Sequence, residues 1–394
     1  MGSWKIKLLF STSKCKLMRN SSVFKLSQSQ SQYQGRSFSS LDVQSRLKNV
    51  GFIGLGNMGS RMATNLLKSG FRVSVHDMNG VAAKQFVDRG VLVKETPMEI
   101  AEASDVVITM LPSSTHVLIC LIQVMDVYMG PNGLLHSSSA LQPWLFIDSS
   151  TIDPLTSRKI SLSVSGCALK EKLDCQEKPF MLDAPVSGGI LAAEAGSLTF
   201  MVGGSEEAYL AAESLFLSMG RDSIYCGGAG NGSVAKICNN LAMAISMIGV
   251  SEALAVGQSL GVTASTLSRI FNCSTARCWS SDTYNPVPGV MDGVPSSRDY
   301  QGGFASKLMA KDLDIAAASA NEAAIKHPLT CQAQDIQDLY QELCRTYTGI
   351  LPLHDSINCA TRAMKRRIFL ACSAIIMVER TSNSIEIEPT IIIS

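Results

Sequence analysis

The run "VGFI", Val50 to Ile53, has no polar break, as a strand buried on both faces of a parallel sheet requires. Apolar residues then recur at Met62, Leu66 and Leu67, a helical spacing that stops at Gly70. A second apolar run, Phe71 to Val75, leads to Asp77. Strand, helix and strand in this order predict a βαβ unit. The alternation continues. "DVVITMLP" (Asp105 to Pro112) and "WLFIDSST" (Trp144 to Thr151) read as strands ending in loops at the carboxyl edge of the sheet. Three shorter runs, "FMLDAP", "LTFMVGG" and "IYCGG", extend that sheet to about Gly230.

From Ser233 the pattern changes. "SVAKICNNLAMAISMIGVSEALAVGQSLG" contains no proline and few charges, and predicts one helix ending at Gly261, buried nearly all round. At about 1.5 Å per residue it is roughly 40 Å long, enough to run from one domain into another. Further helical patterns cover Ala264 to Phe271, Lys307 to Ala320 and the region from Gln334 to Cys344, with a Pro/Gly-rich loop, "SSDTYNPVPGVMDGVP", among them. The expected fold is therefore an α/β Rossmann-type N-terminal domain (48–230) followed by an all-α C-terminal domain (231–345) built around a long interdomain helix.

Composition adds three things. A chain of 394 residues, 46% hydrophobic and 17% charged, is globular and long enough for two domains. Its net charge of +1 argues against nucleic acid or a membrane surface as partner. That small charge hides an asymmetry, because Met1 to Leu41 contains Lys5, Lys7, Lys14, Lys16, Arg19, Lys25 and Arg36 but no acid. Basic, Ser-rich and acid-poor, with "GRSFSS" as a processing region, residues 1–40 read as a disordered transit peptide addressed to the mitochondrial matrix. The twelve cysteines form no CxxC and suit free thiols in a reducing compartment. Cys273 and Cys278 lack a second pair, so no metal site is expected. No apolar run of transmembrane length is read, "IFLACSAIIMV" being about half a span.

The chemistry lies in a few stretches. Gly54, Gly56 and Gly59 form G-x-G-x-x-G directly between the first strand and the first helix. The first glycine permits the tight turn, the second lets a pyrophosphate approach, and the third allows close helix packing. The whole segment, with Leu55, Asn57 and Met58, would cradle the phosphates at the helix N-terminus. Asp77 stands 18 residues beyond Gly59, where a carboxylate accepts from the ribose hydroxyls of NAD and repels the extra phosphate of NADP. Leu111, Pro112 and Thr151, at the ends of later strands, are candidate nucleotide neighbours. In "AKICNN", Lys236, Asn239 and Asn240 share one helix face, with Lys236 in the first turn. A desolvated lysine is a suitable base for a hydroxyl proton, and the helix dipole would push its pKa the same way. In "DAPVSGG", Ser187, Gly188 and Gly189 offer a hydroxyl and open backbone N–H groups to a small carboxylate. Lys311 in "LMAKDL" faces either cofactor or substrate. His76, His116, His136, His327 and His354 show no triad or metal spacing.

Taken together, "GFIGLGNMG", "DSSTIDP", "DAPVSGG", "AKICNN", "RCWSSDTYNPVPGVM" and "LMAKDL" resemble the β-hydroxyacid dehydrogenase family in its mitochondrial plant type, over roughly Lys48 to Cys344. The resemblance implies NAD-dependent oxidation of 3-hydroxyisobutyrate to methylmalonate semialdehyde in valine catabolism. It implies Lys236 as the catalytic residue, substrate contacts from Ser187, Gly188, Gly189 and Asn240, cofactor contacts from Leu111, Pro112, Thr151 and Lys311, and a homodimer or homotetramer assembled through the helical domain. Two alternatives stand beside it: a relative acting on glyoxylate, succinic or tartronate semialdehyde, or, because of the atypical tail, an inactive cofactor-binding variant. The departures from the family are an apolar insert, Ile119 to Met125, His116 in place of an asparagine, a longer stretch from Ser165 to Lys178, and an atypical tail over 346–394.

Overall fold

The structure, a computed structural model, describes residues 47–111, 117–136, 141–170, 178–298, 300 and 303–336. Residues 1–40, Pro112, His116, residues 171–177, residues 337–344 of the last helical pattern and the tail 346–394 lie outside the described residues.

Among the described residues nine strands form one sheet: β1 (Asn49–Ile53), β2 (Arg72–His76), β3 (Leu92–Val93), β4 (Val106–Thr109), β5 (Leu145–Asp148), β6 (Phe180–Asp183), β7 (Val186–Ser187), β8 (Leu198–Gly204) and β9 (Gly220–Gly227). The first six are parallel neighbours in the order β3-β2-β1-β4-β5-β6. That is the doubly wound dinucleotide-binding order, with its switch point between β1 and β4. β8 runs antiparallel to β6 and β7, and β9 lies parallel to β8. The expected Rossmann-type domain is thus present, with the three later runs extending it as β6, β8 and β9. The two-residue strands β3 and β7 carry too little pattern to be read from sequence.

Alternation along the strands feeds two cores. Phe52, Ile108 and Ile147 belong to one cluster with Met62 and Leu66 of helix α1 (Gly59–Lys68). Ile53, Val107 and Phe146 turn to the other face, against Ile160 and Val164 of α5 (Pro154–Ser165). Covering both faces makes the central strands apolar throughout, and each large aliphatic side chain so buried contributes about 1.5–3 kcal/mol. Between them in sequence lie α2 (Gly80–Val87), α3 (Pro97–Glu102) and α4 (Val117–Met129). The insert Ile119 to Met125 falls within α4. At 3.6 residues per turn, seven residues are about two turns, so such an insert lengthens a helix while nearly preserving its faces.

After α6 (Gly189–Ala195) and α7 (Glu206–Met219) comes α8, Asn231–Ser259, followed by α9 (Ala264–Cys273), α10 (Trp279–Asp282) and α11 (Ser306–Glu322). Helical residues resume at 328–336. The second half is helical, as expected. Two of its details differ from the sequence reading. α8 starts two residues earlier than Ser233, because Gly230, at φ 83°, turns the chain into it. Nor is α8 buried nearly all round: Val234 and Val256 are exposed. It packs on β8, β9, α9, α10 and α11, burying Ala244 against Met309 and Leu313, while a flank through Val234, Cys238, Ala242, Gly249 and Ala253 stays exposed. An 18-residue window of the 29-residue α8 has a mean hydropathy of 1.5, so by length and composition alone α8 would also pass for a membrane span, which corrects the reading that no such run exists. Its packing against the sheet and α11 is that of a helix inside a folded domain.

Candidate active site

The first part of the site is the glycine turn after β1. Gly54, at φ 95°, donates its N–H to the carbonyl of His76, and a Cβ there would sit 2.2 Å from the Met110 carbonyl oxygen. A Cβ on Gly59 would lie 1.9 Å from the Gly54 carbonyl oxygen, so the start of α1 packs directly on the turn. Gly56 is different. It is exposed, and a Cβ there would meet nothing within 4 Å. Open space at the middle glycine, beside a helix whose N-cap, Met58, supplies no side-chain cap, fits a pyrophosphate on backbone N–H groups. Asn57 beside it is exposed, and Met58 is partly buried against the core of the sheet domain.

Asp77, at the end of β2, is held in place by the glycine loop itself. Its Oδ2 accepts the Leu55 N–H at 2.5 Å and its Oδ1 accepts the Asn79 N–H at 2.7 Å. The remaining lone pairs are free to accept ribose hydroxyls. A charge-assisted hydrogen bond of this kind contributes about 1.5–3 kcal/mol. Asp77→Ser is accordingly expected to raise KM for NAD about tenfold or more and to make turnover with NADP measurable. Initial rates with both cofactors check this, and an unchanged NAD/NADP ratio would refute the role of Asp77.

The loops after β4 and β5 are tied together underneath. Thr109 Oγ1 donates to Asp148 Oδ1 at 2.8 Å and lies 3.0 Å from the Tyr128 hydroxyl, while the Ser150 N–H donates to the same Asp148 oxygen at 3.1 Å. The Leu111 N–H in turn donates to Ser150 Oγ at 3.0 Å. Burial pushes the Asp148 carboxyl up to about 6, against the opposing pull of the Ser150 and Thr109 hydrogen bonds. Leu111 and Thr151 are thus placed on one fixed edge, whereas Pro112 lies outside the described residues.

Lys236 sits in the second turn of α8 rather than the first, 7% exposed. Its Nζ donates to Asn240 Oδ1 at 3.2 Å. The Asn240 amide donates to Asp312 Oδ2 at 2.5 Å. Asp312 Oδ1 faces Lys311 Nζ at 3.0 Å, an ion pair without an aligned hydrogen bond, and Lys311 also donates to the Thr151 carbonyl at 3.0 Å. One buried chain of polar groups therefore runs from α8 through α11 (Ser306–Glu322) to the nucleotide edge. It brings together Lys236, Asn240, Lys311 and Thr151. Asn239 is exposed, reaching Asn240 Oδ1 only with its own amide at 3.1 Å.

Desolvation lowers the Lys236 pKa; Asp312 opposes that and Lys311 adds to it. The expected push from the helix dipole is offset, because the α8 N-terminus is not bare. Asp183 accepts the N–H groups of Gly230 at 2.7 Å and Ser233 at 2.8 Å. Asp312 is the site residue that sequence reasoning passed over, although it stands inside "LMAKDL". Its only signal was an acid next to a lysine on an apolar helix.

Ser187 ends β7, in register with Thr199 of β8. Gly188 and Gly189 follow it at φ 134° and 72°, exposed, with open space at Gly189. β8 also packs against α8, so the "VSGG" turn and the Lys236 helix share a neighbour. His76 is buried, with Nδ1 2.9 Å from the Lys94 carbonyl oxygen. Among the described residues no group of three metal-ligating side chains occurs, and Cys273 and Cys278 are free thiols.

A dinucleotide cradle after β1 and a buried lysine–asparagine pair on α8 define a nicotinamide-dependent dehydrogenase of small hydroxy acids. Two family models match in tandem: the NAD binding domain of 6-phosphogluconate dehydrogenase over 49–228, and the NAD-binding domain of NADP-dependent 3-hydroxyisobutyrate dehydrogenase over 230–349. A protein described as a probable mitochondrial 3-hydroxyisobutyrate dehydrogenase from Arabidopsis thaliana is 65% identical over 306 residues, 78% of this chain and 85% of that one. The mitochondrial 3-hydroxyisobutyrate dehydrogenase of Homo sapiens is 48% identical over 295 residues, 75% of this chain and 81% of that one. Among solved structures, the Mycobacterium tuberculosis 3-hydroxyisobutyrate dehydrogenase with L-serine superposes with a TM-score of 0.64 at 35% identity, covering 75% of this chain and 94% of that one. The chain belongs to the 3-hydroxyisobutyrate dehydrogenase family.

Proposed function

We propose that this chain oxidises 3-hydroxyisobutyrate to methylmalonate semialdehyde with NAD, in valine catabolism, and that Lys236 is its general base. The observation that carries the assignment of the base is the burial of Lys236 in contact with Asn240, which itself is bonded to Asp312. Desolvation favours the neutral amine, which can take the hydroxyl proton. NAD, when bound, accepts the hydride from the alcohol carbon. Proton uptake turns Lys236 into an ammonium, and Asn240 relays the Asp312 carboxylate toward it.

Charge also favours an acid as substrate. With Lys236 neutral, Lys311 and Asp312 balance each other. Once Lys236 is protonated, these three groups carry one excess positive charge, which a substrate carboxylate offsets. In this reading Ser187, Gly188 and Gly189 receive that carboxylate and Asn240 orients the reacting oxygen, in support of which Gly188 and Gly189 are exposed and Asn240 touches Lys236. Gly54 to Gly59, Asp77, Leu111, Pro112, Thr151 and Lys311 hold the cofactor.

The leading 40 residues direct the protein into the mitochondrial matrix, consistent with the mitochondrial naming of its relatives. The open flank of α8 (Asn231–Ser259) supports assembly as a homodimer or homotetramer. The test is a substrate panel on protein lacking residues 1–40. NADH formation is expected with 3-hydroxyisobutyrate in preference to 4-hydroxybutyrate, glycolate and glycerate, the alcohols of the competing aldehydes. Preference for another acid would reassign the substrate, and no turnover with any would favour a cofactor-binding protein without activity.

A further inference from the structure

We infer that Asp183 is a positioning residue for the reaction, the clip that fixes the Lys236 helix against the end of the sheet and at a set distance from the substrate cradle. This rests on Lys236 acting as the base. The starting observation is a missing cap. The residue before α8 is Gly230, which has no side chain, so no cap comes from the helix's own chain start. Unsatisfied N–H groups at a buried helix end are costly. They are satisfied instead from the end of β6, some fifty residues earlier in sequence: Asp183 Oδ1 takes the Gly230 N–H and Oδ2 the Ser233 N–H. Both carboxylate oxygens are thus committed to one turn of backbone, the turn directly preceding Lys236.

The fit leaves little freedom. Asp183 is 3% exposed. A Cβ on Gly203 would lie 2.6 Å from Asp183 Oδ1, and one on Gly232 would lie 2.4 Å from the Asp183 carbonyl oxygen. Both glycines are required for the carboxylate to reach the helix. A second contact locks rotation, the Ser233 and Ser157 hydroxyls meeting at 2.8 Å. Four residues after Asp183 the same segment supplies Ser187, Gly188 and Gly189. A single stretch, "DAPVSGG", therefore holds the base through Asp183 and receives the substrate through its glycines. The distance between base and substrate is set by four residues of chain and two hydrogen bonds.

The carboxylate also sets the field along α8. It offsets the positive helix end, which otherwise favours the neutral form of a nearby lysine. The charged groups that face Lys236 are Asp312 and Lys311 from α11, and those near Asp183 are Asp148, opposite it on β5, and Cys226 on β9. Of these, Asp148 is itself raised in part by Asp183, so its carboxyl titrates lower once Asp183 is neutralised.

The test is Asp183→Asn, with Asp183→Ala beside it. Asparagine keeps the shape and one acceptor oxygen but loses the second acceptor and the charge. With NAD saturating, kcat for the hydroxy acid is expected to fall roughly tenfold to a hundredfold, the cost of a small misplacement of a reacting group. NAD affinity, read by NADH fluorescence titration, should not change. The acid limb of the kcat–pH profile should move to lower pH, because Lys236 then feels the uncompensated helix end. Asp183→Ala should show a larger kcat loss in the same direction. A kcat and pH profile equal to those of the unaltered protein would overturn the inference. So would a loss that merely follows the unfolded fraction in thermal melts, or failure of both variants to fold with NAD present, which would make Asp183 a folding residue only. Inactivity of Lys236→Ala is a separate result; if that variant is fully active, the base assignment fails first.

Discussion

Lys236→Ala is expected to slow hydroxy-acid oxidation by between about a hundredfold and ten-thousandfold, the range that general acid–base catalysis supplies. NAD should still bind with unchanged affinity, because no contact of Lys236 reaches the glycine turn, Asp77 or the edge formed by Leu111 and Thr151. Lys236→Arg should be as inactive as the alanine variant. A guanidinium keeps its proton at any working pH and cannot serve as base. That pair separates a base from a residue that only supplies positive charge: recovery of activity in Lys236→Arg would leave the charge role and remove the base role. Single-turnover rates and NADH fluorescence titrations on both variants read the two effects independently.

Asp312→Asn should have the largest effect on stability. Lys311 is 1% exposed and Asp312 4%, and they face each other at 3.0 Å. Removing one partner of a buried ion pair leaves the other charge uncompensated, at about 3–5 kcal/mol. Urea denaturation should show that loss as a lower midpoint with an unchanged slope. The rate should change as well. Asp312 is the group that holds the Lys236 pKa up against desolvation. Without it the pKa falls further, so the acid limb of kcat moves to lower pH. The plateau drops, because the ammonium formed in the reaction has lost its counter-charge. Asp312→Glu, which keeps the charge but overfills the site, should recover part of the stability. A variant as stable as the parent would refute the charge balance drawn for the site.

Much of this was legible in the chain. The βαβ unit, the sheet through β9, the long helix and the helical second half follow from apolar runs and their spacing, since burial on two faces leaves a continuous apolar signal. Gly54, Gly59 and Asp77 could be read because their jobs are local: a positive φ, a close packing and a carboxylate at the end of a strand. What could not be read lies between distant segments. Asp183 reaches Gly230 and Ser233, and Asp312 reaches Asn240, 72 residues away. Neither pairing leaves a mark on spacing. The start of α8 is set by Gly230, at φ 83°, with the capping acceptors supplied by Asp183 from another element, and neither shows in the apolar pattern. That pattern overstates the burial of α8 because apolar residues occupy both flanks, and composition does not tell which flank the fold covers.

In the proposed reaction a buried, neutral Lys236 takes the substrate proton, and the pH dependence of kcat tests this most directly. Oxidation needs the unprotonated amine, so kcat should rise with pH through the Lys236 pKa and then level off. Desolvation places that pKa below the ordinary lysine value, so the rise should be complete below the pH at which a free lysine titrates, near 10.4. It should also move to lower pH in Asp312→Asn. A limb that stays at the free-lysine value, or one that persists unchanged in Lys236→Ala, would contradict the account.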